Sequence, residues 1–400
     1  GIDGQDTSDI FDDIGENYKK LAIYSGTTQL YVEVEQWDHV NKKGLLWVSH
    51  EDWIISSLEP TELWIYFDEL AEDNNDYVGE PGSRTEVWNS DFVARYSMAQ
   101  DPSGGVGCII DSTINGNHGT PQGGMTSENL VELGGNKIGS ALIFDGVNDY
   151  VDCGSSETLN MVSGKRFIQE AWVKASRVFV GSNQNCLNVL SKGGVFHPDG
   201  YGIDFYERTL DNSVRIEFPT KEGGTYTEIL ADFDLTTKFH YFVGEASEGA
   251  PSKGYQDGLE LINPSNVGTT TTFNNNSGSL WIGDNSFVDS NNKPFPGQIS
   301  EVRILNTELS FNVGVYQKVT YESQTDNLLT FGETFCTIMH PAIIVNTPTI
   351  SGVNYTFHGE LTTMGSAEEV SLNFQYRSTS SGIGWTDCDQ TTKSGVGTFD

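Results

Sequence analysis

Asp145, Asn148 and Asp149 fall within five residues, on a stretch that also holds Gly146. Such a loop can turn several oxygens onto one centre, as Ca²⁺ requires with its roughly six to eight oxygen ligands. The same residues also suit a metal-free turn, because Asp, Asn and Gly tolerate unusual φ and Asp and Asn bond their own backbone. Ca²⁺ is the one cofactor suggested here, with turn formation as the alternative. Carboxylates two residues apart on a strand share a face, the arrangement that two-carboxylate glycoside hydrolysis needs. Glu33 with Glu35, and Asp232 with Asp234, have that spacing. Both pairs read as solvated faces or turn positions. The histidines (His39, His50, His118, His197, His240, His340 and His358) are scattered, with no zinc-like spacing. No Gly-x-Ser-x-Gly elbow and no phosphate loop occurs. The sequence therefore argues against an enzyme.

The composition narrows the partners. Among 400 residues, 56 Asp and Glu oppose 22 Lys and Arg, giving a net charge of −34. A chain so acidic repels nucleic acid, whose binding needs a positive field. It also repels acidic lipid surfaces. The charge reads first as a device for solubility, with room for one site for a hard cation. Hydrophobic residues at 36% and aromatics at 11% suffice for packed cores. The 44 glycines favour many turns between short strands. No CxxC pair occurs among the five cysteines, which argues against structural zinc. Cys336 and Cys388 could pair within a C-terminal module, but spacing alone does not show it. No apolar run approaches the ~20 residues of a membrane span. The sequence starts at Gly1 and ends in the strand-like Gly397–Asp400, which reads as a piece of something longer.

The elements read as all-β. Asp9 to Gly15 is a short helical stretch. Leu30 to Trp37 alternates with period two, and Gly44–Val48 and Glu62–Phe67 are further strands. Ala71 to Arg84 is a loop rich in Asn, Asp, Gly and Pro. The middle of the chain offers ten strands: Ser140–Phe144, Tyr150–Cys153, Phe167–Lys174, Leu187–Lys192, Gly202–Tyr206, Val214–Phe218, Thr227–Asp232, Phe239–Gly244, Ser279–Gly283 and Gly297–Leu305. Many short strands without a long amphipathic helix indicate a sandwich. Three modules follow: 1–92, a small β-domain; 93–332, the sandwich; and 333–400, an incomplete β-module.

Five ordered motifs carry a family resemblance. They are Asp111-Ser-Thr-Ile-Asn-Gly-Asn-His-Gly-Thr120, Gly139-Ser-Ala-Leu-Ile-Phe-Asp-Gly-Val-Asn-Asp-Tyr-Val151, Glu170-Ala-Trp-Val-Lys174, Tyr255-Gln-Asp-Gly258 and Gly297-Gln-Ile-Ser-Glu-Val-Arg-Ile304. Together they resemble laminin-G-like, concanavalin A-type jelly rolls. Ser300 stands where that family often has Asp, so no role of that Asp transfers. Residues 1–92 resemble an uncharacterised β-domain that precedes such modules in secreted microbial and phage or archaeal-virus structural proteins. The resemblance implies a first strand before Gly1. Phe357–Gly365 and Phe374–Arg377 are similar to the start of a fibronectin type III-like domain.

The resemblance implies an antiparallel jelly-roll sandwich in which Glu301 of the closing strand can join Asp145, Asn148 and Asp149 as a metal ligand. It also makes carbohydrate a natural ligand, for which an aromatic platform with amide and carboxylate neighbours is needed. Alternation sends Leu280 and Ile282 to the core and Trp281 outward, and Tyr201, Ile203 and Phe205 to one face with Tyr206 on the other. The expected platform is Tyr206 and Trp281 with Asn285 and Asn292. The resulting expectation is a non-catalytic adhesion protein of a cell surface, virion or extracellular space, binding glycan or a surface receptor. A structural subunit packed against its neighbours is the alternative. Asn275-Asn-Ser277 and Asn354-Tyr-Thr356 are glycosylation sequons.

Overall fold

The computed structural model describes residues 8–325 except 56–60, 80–81, 135, 178–185, 194–199, 208–213, 219–226, 232–234, 262–263, 267–268, 271, 274, 276 and 286–291; beyond 325 it describes only short strands. Contacts divide the chain into two compact units. One is Ile10–Thr330, and the other combines Gly1–Asp9 with Phe331–Asp400. The second unit carries short antiparallel pairs such as Ile343–Val345 with Gly359–Leu361 and Val370–Leu372 with Thr391–Lys393. Cys336 and Cys388 lie outside the described residues.

The chain is nearly all β, and the larger unit holds two large sheets. One, of nine strands, runs in the order Pro264–Asn266, Thr227–Ala231, Val214–Phe218, Tyr201–Glu207, Cys186–Lys192, Leu280–Ile282, Tyr150–Asp152 and Thr120–Gln122. Its ninth strand, Asn292–Pro294, lies parallel to Cys186–Lys192. The other has eight strands. At its centre Arg166–Ala175 lies between His240–Ser247 and Pro296–Thr307. Phe92–Tyr96 pairs antiparallel with the far end of Pro296–Thr307.

Alternation decides which side chains meet. From Arg166–Ala175, Phe167, Ala171, Val173 and Ala175 enter the core between the sheets. Ile168 and Trp172 enter a second core on the opposite face. Two-sided burial leaves nearly every position of this strand buried, the polar Gln169 and Glu170 included. The second core is capped by a helix, Val313–Gln324, whose Tyr321 ring stacks on Trp172 at 5.6 Å. Asn312 caps the helix by accepting from the Val315 N–H at 3.1 Å.

Residues 10–92, within the same compact unit, gather a smaller core around Ile14, Leu21, Ile23, Leu30, Val32 and Val78. Tyr31–Asp38 pairs with Lys43–Ser49, and a bulge falls at Glu35. The helix Ser8–Ile14 matches the short helical stretch read from the sequence. The loop read over Ala71 to Arg84 instead ends in a helix, Gly82–Val87.

Candidate functional site

The loop at Asp145 is built by its own backbone. Asp145 Oδ1 accepts from the N–H groups of Val147, Asn148 and Asp149 at 2.7, 3.0 and 3.2 Å. Asp149 Oδ2 accepts from the Asp145 N–H at 3.1 Å and from Asn129 Nδ2 at 3.3 Å. These oxygens face donors, as in a turn held by its own backbone. Gly146, at φ +72°, is needed because a Cβ there would lie 2.6 Å from Pro296. Glu301 does not join the loop. Asp145 pairs with Pro296, five residues before Glu301, a separation of roughly 16 Å along a strand. Among the described residues, no group of three His, Cys, Asp or Glu side chains is placed to hold a metal.

Glu301 instead enters a buried ionic cluster on the outer face of the eight-stranded sheet. It sits at a bulge with a left-handed φ of +47°, costly for a residue with a Cβ. The kink aims its carboxylate at Arg95 Nε (2.9 Å) and Nη2 (2.7 Å), and at Arg303 Nε (2.7 Å). Glu33 and Glu35 reach the same guanidinium of Arg95, so these acids are not solvated. The hairpin of Tyr31–Asp38 and Lys43–Ser49 lays them on the sheet, and Trp47 and Trp88 flank both guanidinia at 4.8–5.1 Å. Arg95 side-chain exposure is 0%. Burial alone would raise the Glu301 carboxyl, but Arg95 and Arg303 hold it at about 2. Burial raises Glu35, against the pull of Arg95. Burial lowers the Lys137 ammonium to about 8, with Glu301 and Glu35 pulling the other way. Beside the cluster, Glu170 accepts from the Tyr241 hydroxyl and from that of Tyr316. Each of these acids is buried and engaged by Arg95, Arg303 or a tyrosine hydroxyl. The Asp232–Asp234 pair lies outside the described residues.

A half-buried aromatic and polar cluster lies on the outer face of the nine-stranded sheet. Leu280 and Ile282 are fully buried in the core, and Trp281 between them faces away. Trp281 pairs with Asp152 on one side and Ser191 on the other. Its ring stacks on Tyr150, centroid to centroid 4.1 Å and inclined 26°. The indole N–H is buried with no partner among the described residues. Behind the pair, Ser191 Oγ donates to Asn285 Oδ1 and Asn285 Nδ2 to Asn188 Oδ1, each at 3.3 Å. Asn188 Nδ2 donates to the carbonyls of Cys186 and Lys293. Asp284 Oδ1 accepts from the Asn285 N–H at 2.7 Å, and Asp152 Oδ1 from the Gly154 N–H at 2.9 Å.

Of the residues chosen from sequence, Trp281 and Asn285 thus share one polar neighbourhood. Tyr206 and Asn292 both take backbone register opposite Cys186; their side chains lie outside the described residues. Tyr150, Asp152 and Asp284 were missed. The signal for the first two was present: Val151 faces the core, so its neighbours face out. Of the sequons, Asn275 is engaged, its amide bonding the Met161 N–H and carbonyl at 2.9 and 2.8 Å.

Residues 145–312 match the Laminin_G_3 family model, described as the concanavalin A-like lectin/glucanases superfamily. The chain carries a concanavalin A-like domain. No curated protein matches the sequence. Among solved structures, domain 4 of a GH43 extracellular arabinanase from Geobacillus stearothermophilus, in complex with arabinotriose, is 20% identical. The match covers 57% of this chain and 97% of that one, with a TM-score of 0.39. The receptor binding domain of botulinum neurotoxin D is 14% identical over 58% of this chain and 53% of that one, with a TM-score of 0.38. The serotype D ligand binding domain in complex with N-acetylneuraminic acid is 13% identical over 58% and 51%, with a TM-score of 0.40. This chain spans about half the length of the toxin domains. The superfamily of the concanavalin A-like domain contains both lectins and glucanases, so its membership does not decide between binding and catalysis.

Proposed function

We propose that the concanavalin A-like domain is a non-catalytic module that binds carbohydrate, free or on a cell-surface receptor, on the outer face of its nine-stranded sheet. The protein then acts outside the cytoplasm, on a cell or virion surface. The observation that carries this reading is the stacked Tyr150–Trp281 pair, with Asp152, Asp284 and the Asn285 network beside it. Sugar recognition needs an apolar ring face bordered by hydrogen-bonding groups. The eight-stranded sheet offers no equal, since a helix and the hairpin of Tyr31–Asp38 and Lys43–Ser49 cover its outer face. Buried pairing of Glu33 and Glu35 supports the non-catalytic part of the reading.

Glycan-array binding by the whole chain, repeated with Trp281→Ala, tests the reading. Binding that disappears in the variant supports it; binding to no glycan at high protein concentration overturns it. Release of reducing ends from a bound oligosaccharide would overturn the non-catalytic part alone.

A second reading, a subunit that packs against neighbours, has one observation in its favour. Trp64, Ile65 and Tyr66 are 43%, 40% and 50% exposed on a strand that pairs only with Leu21–Ser25 among the described residues. A free strand edge with apolar side chains is a ready surface for pairing. In both readings the flanking regions are modules of their own, the small domain before residue 93 and a fibronectin type III-like domain after 332. Sedimentation of the whole chain against Ile65→Lys distinguishes the second reading, which requires assemblies lost in the variant.

A further inference from the structure

The binding face has an unbalanced hydrogen-bonding inventory. Its amide donors are spent internally: Asn285 Nδ2 on Asn188, and Asn188 Nδ2 on two carbonyls. Around the Tyr150–Trp281 pair, the groups left over are mostly acceptors. Asp152 and Asp284 each commit one carboxylate oxygen to a backbone N–H, and the second has no partner among the described residues. Trp281 sits in register with Asp152 and three residues before Asp284. Asp152, in register with Trp281 and close to Tyr150 along its strand, borders the stack; burial raises the Tyr150 phenol, and the charges of Asp152 and Asp284 raise it further. One cation, Lys293, acts on Asp284, and its side chain is exposed. Among the described residues the donors left over are the buried indole N–H of Trp281 and the Tyr150 hydroxyl, which can also accept. The net charge of −34 adds long-range repulsion of anions.

Resting on the carbohydrate reading, we infer that the ligand is a glycan without acidic groups, a neutral or amine-bearing sugar whose hydroxyl or ammonium hydrogens are given to Asp152 and Asp284. A carboxylate accepts well from adjacent sugar hydroxyls or from an ammonium. Sialylated, uronic, sulfated and phosphorylated glycans would bring a second anion against two carboxylates with one exposed lysine to offset it. Like charges placed together in this way discriminate between otherwise similar ligands.

The test is an array carrying neutral, amine-bearing and acidic glycans in parallel, read with the whole chain and with Trp281→Ala and Asp152→Asn/Asp284→Asn. Circular dichroism melting confirms that each variant folds. The expected result is that bound glycans lack acidic groups and all lose binding in Trp281→Ala. The double Asn variant should weaken amine-bearing glycans about tenfold or more, with the loss shrinking in high salt. Calorimetric titration of the best neutral hit and of its uronic-acid counterpart should differ by at least about tenfold, the neutral sugar tighter. An acidic glycan bound through Trp281 overturns the charge inference and leaves the carbohydrate reading intact. Binding to no glycan, or binding untouched by Trp281→Ala, overturns both.

Discussion

Arg95 and Glu301, 206 residues apart in sequence, form a two-pronged ion pair with Nε–Oε1 at 2.9 Å and Nη2–Oε2 at 2.7 Å. Glu33 and Glu35 of the hairpin Tyr31–Asp38 and Lys43–Ser49 reach the same guanidinium. One side chain therefore ties Phe92–Tyr96, Pro296–Thr307 and the hairpin at Glu33 and Glu35 together. The fork of Arg suits this role, since its planar donors meet carboxylates in pairs where a lysine presents a point charge.

Arg95→Leu should be severely destabilising, because it leaves three buried carboxylates facing one another. Breaking a buried pair from one side costs about 3–5 kcal/mol. Arg95→Lys should lose less but remain measurably weaker than wild type. Urea denaturation followed by circular dichroism checks both, and a change below about 1 kcal/mol for the Leu variant would refute the central role given to this residue.

Acid should weaken the fold through Glu301. Its carboxyl is at about 2 when folded against an ordinary 4.5. Between those values the unfolded chain binds the extra proton, so this group's stabilisation is present above 4.5 and is lost as pH falls toward 2. Glu35, shifted upward by burial, works in the opposite direction. Melting temperatures measured down the acid limb should fall less steeply in Glu301→Gln, from a lower starting value.

Gly283→Ala should unsettle the core beneath the binding face. Its φ is +92°, and an added Cβ would lie 2.4 Å from the Phe144 ring. Left-handed strain and overpacking act together here, at a cost of about 2 kcal/mol or more. Thermal melting of the variant, with the neighbouring Trp281 as an optical probe, measures it.

Asp145→Ala should cost about 1–3 kcal/mol by stranding the N–H groups that its carboxylate now satisfies. Adding Ca²⁺ to metal-stripped wild type should leave the melting temperature unchanged. A rise of several degrees would restore the metal reading of this loop.

The strands were legible because their alternation is driven by two cores at once. Pro296–Thr307 shows why: Ile299, Val302 and Ile304 enter one core and Leu305 the other. The helix Val313–Gln324 was not legible, because its buried stripe is Val313, Gln317, Thr320 and Gln324. A mostly polar stripe gives no hydrophobic period to read. Glu33 and Glu35 misled for a related reason. Acids two apart on a half-buried strand look solvated unless their partner is known, and Arg95 lies about sixty residues away. Trp281 could be assigned outward from Leu280 and Ile282 alone. Its stacking partner Tyr150 comes from a strand 130 residues earlier, and only the sheet order brings the two together.

The pairing of Phe92–Tyr96 with Pro296–Thr307 also has a mechanical consequence. Phe92 lies opposite Leu305 and Tyr96 opposite Val302, so the chain enters and leaves this strand pair at the same end. Tension carried along the backbone would peel the pair open one rung at a time instead of shearing all rungs together. Arg95 and Arg303 face each other within that short zipper. The salt-bridged knot is thus an early obstacle to unzipping, and the jelly roll behind it bears load only after that knot yields.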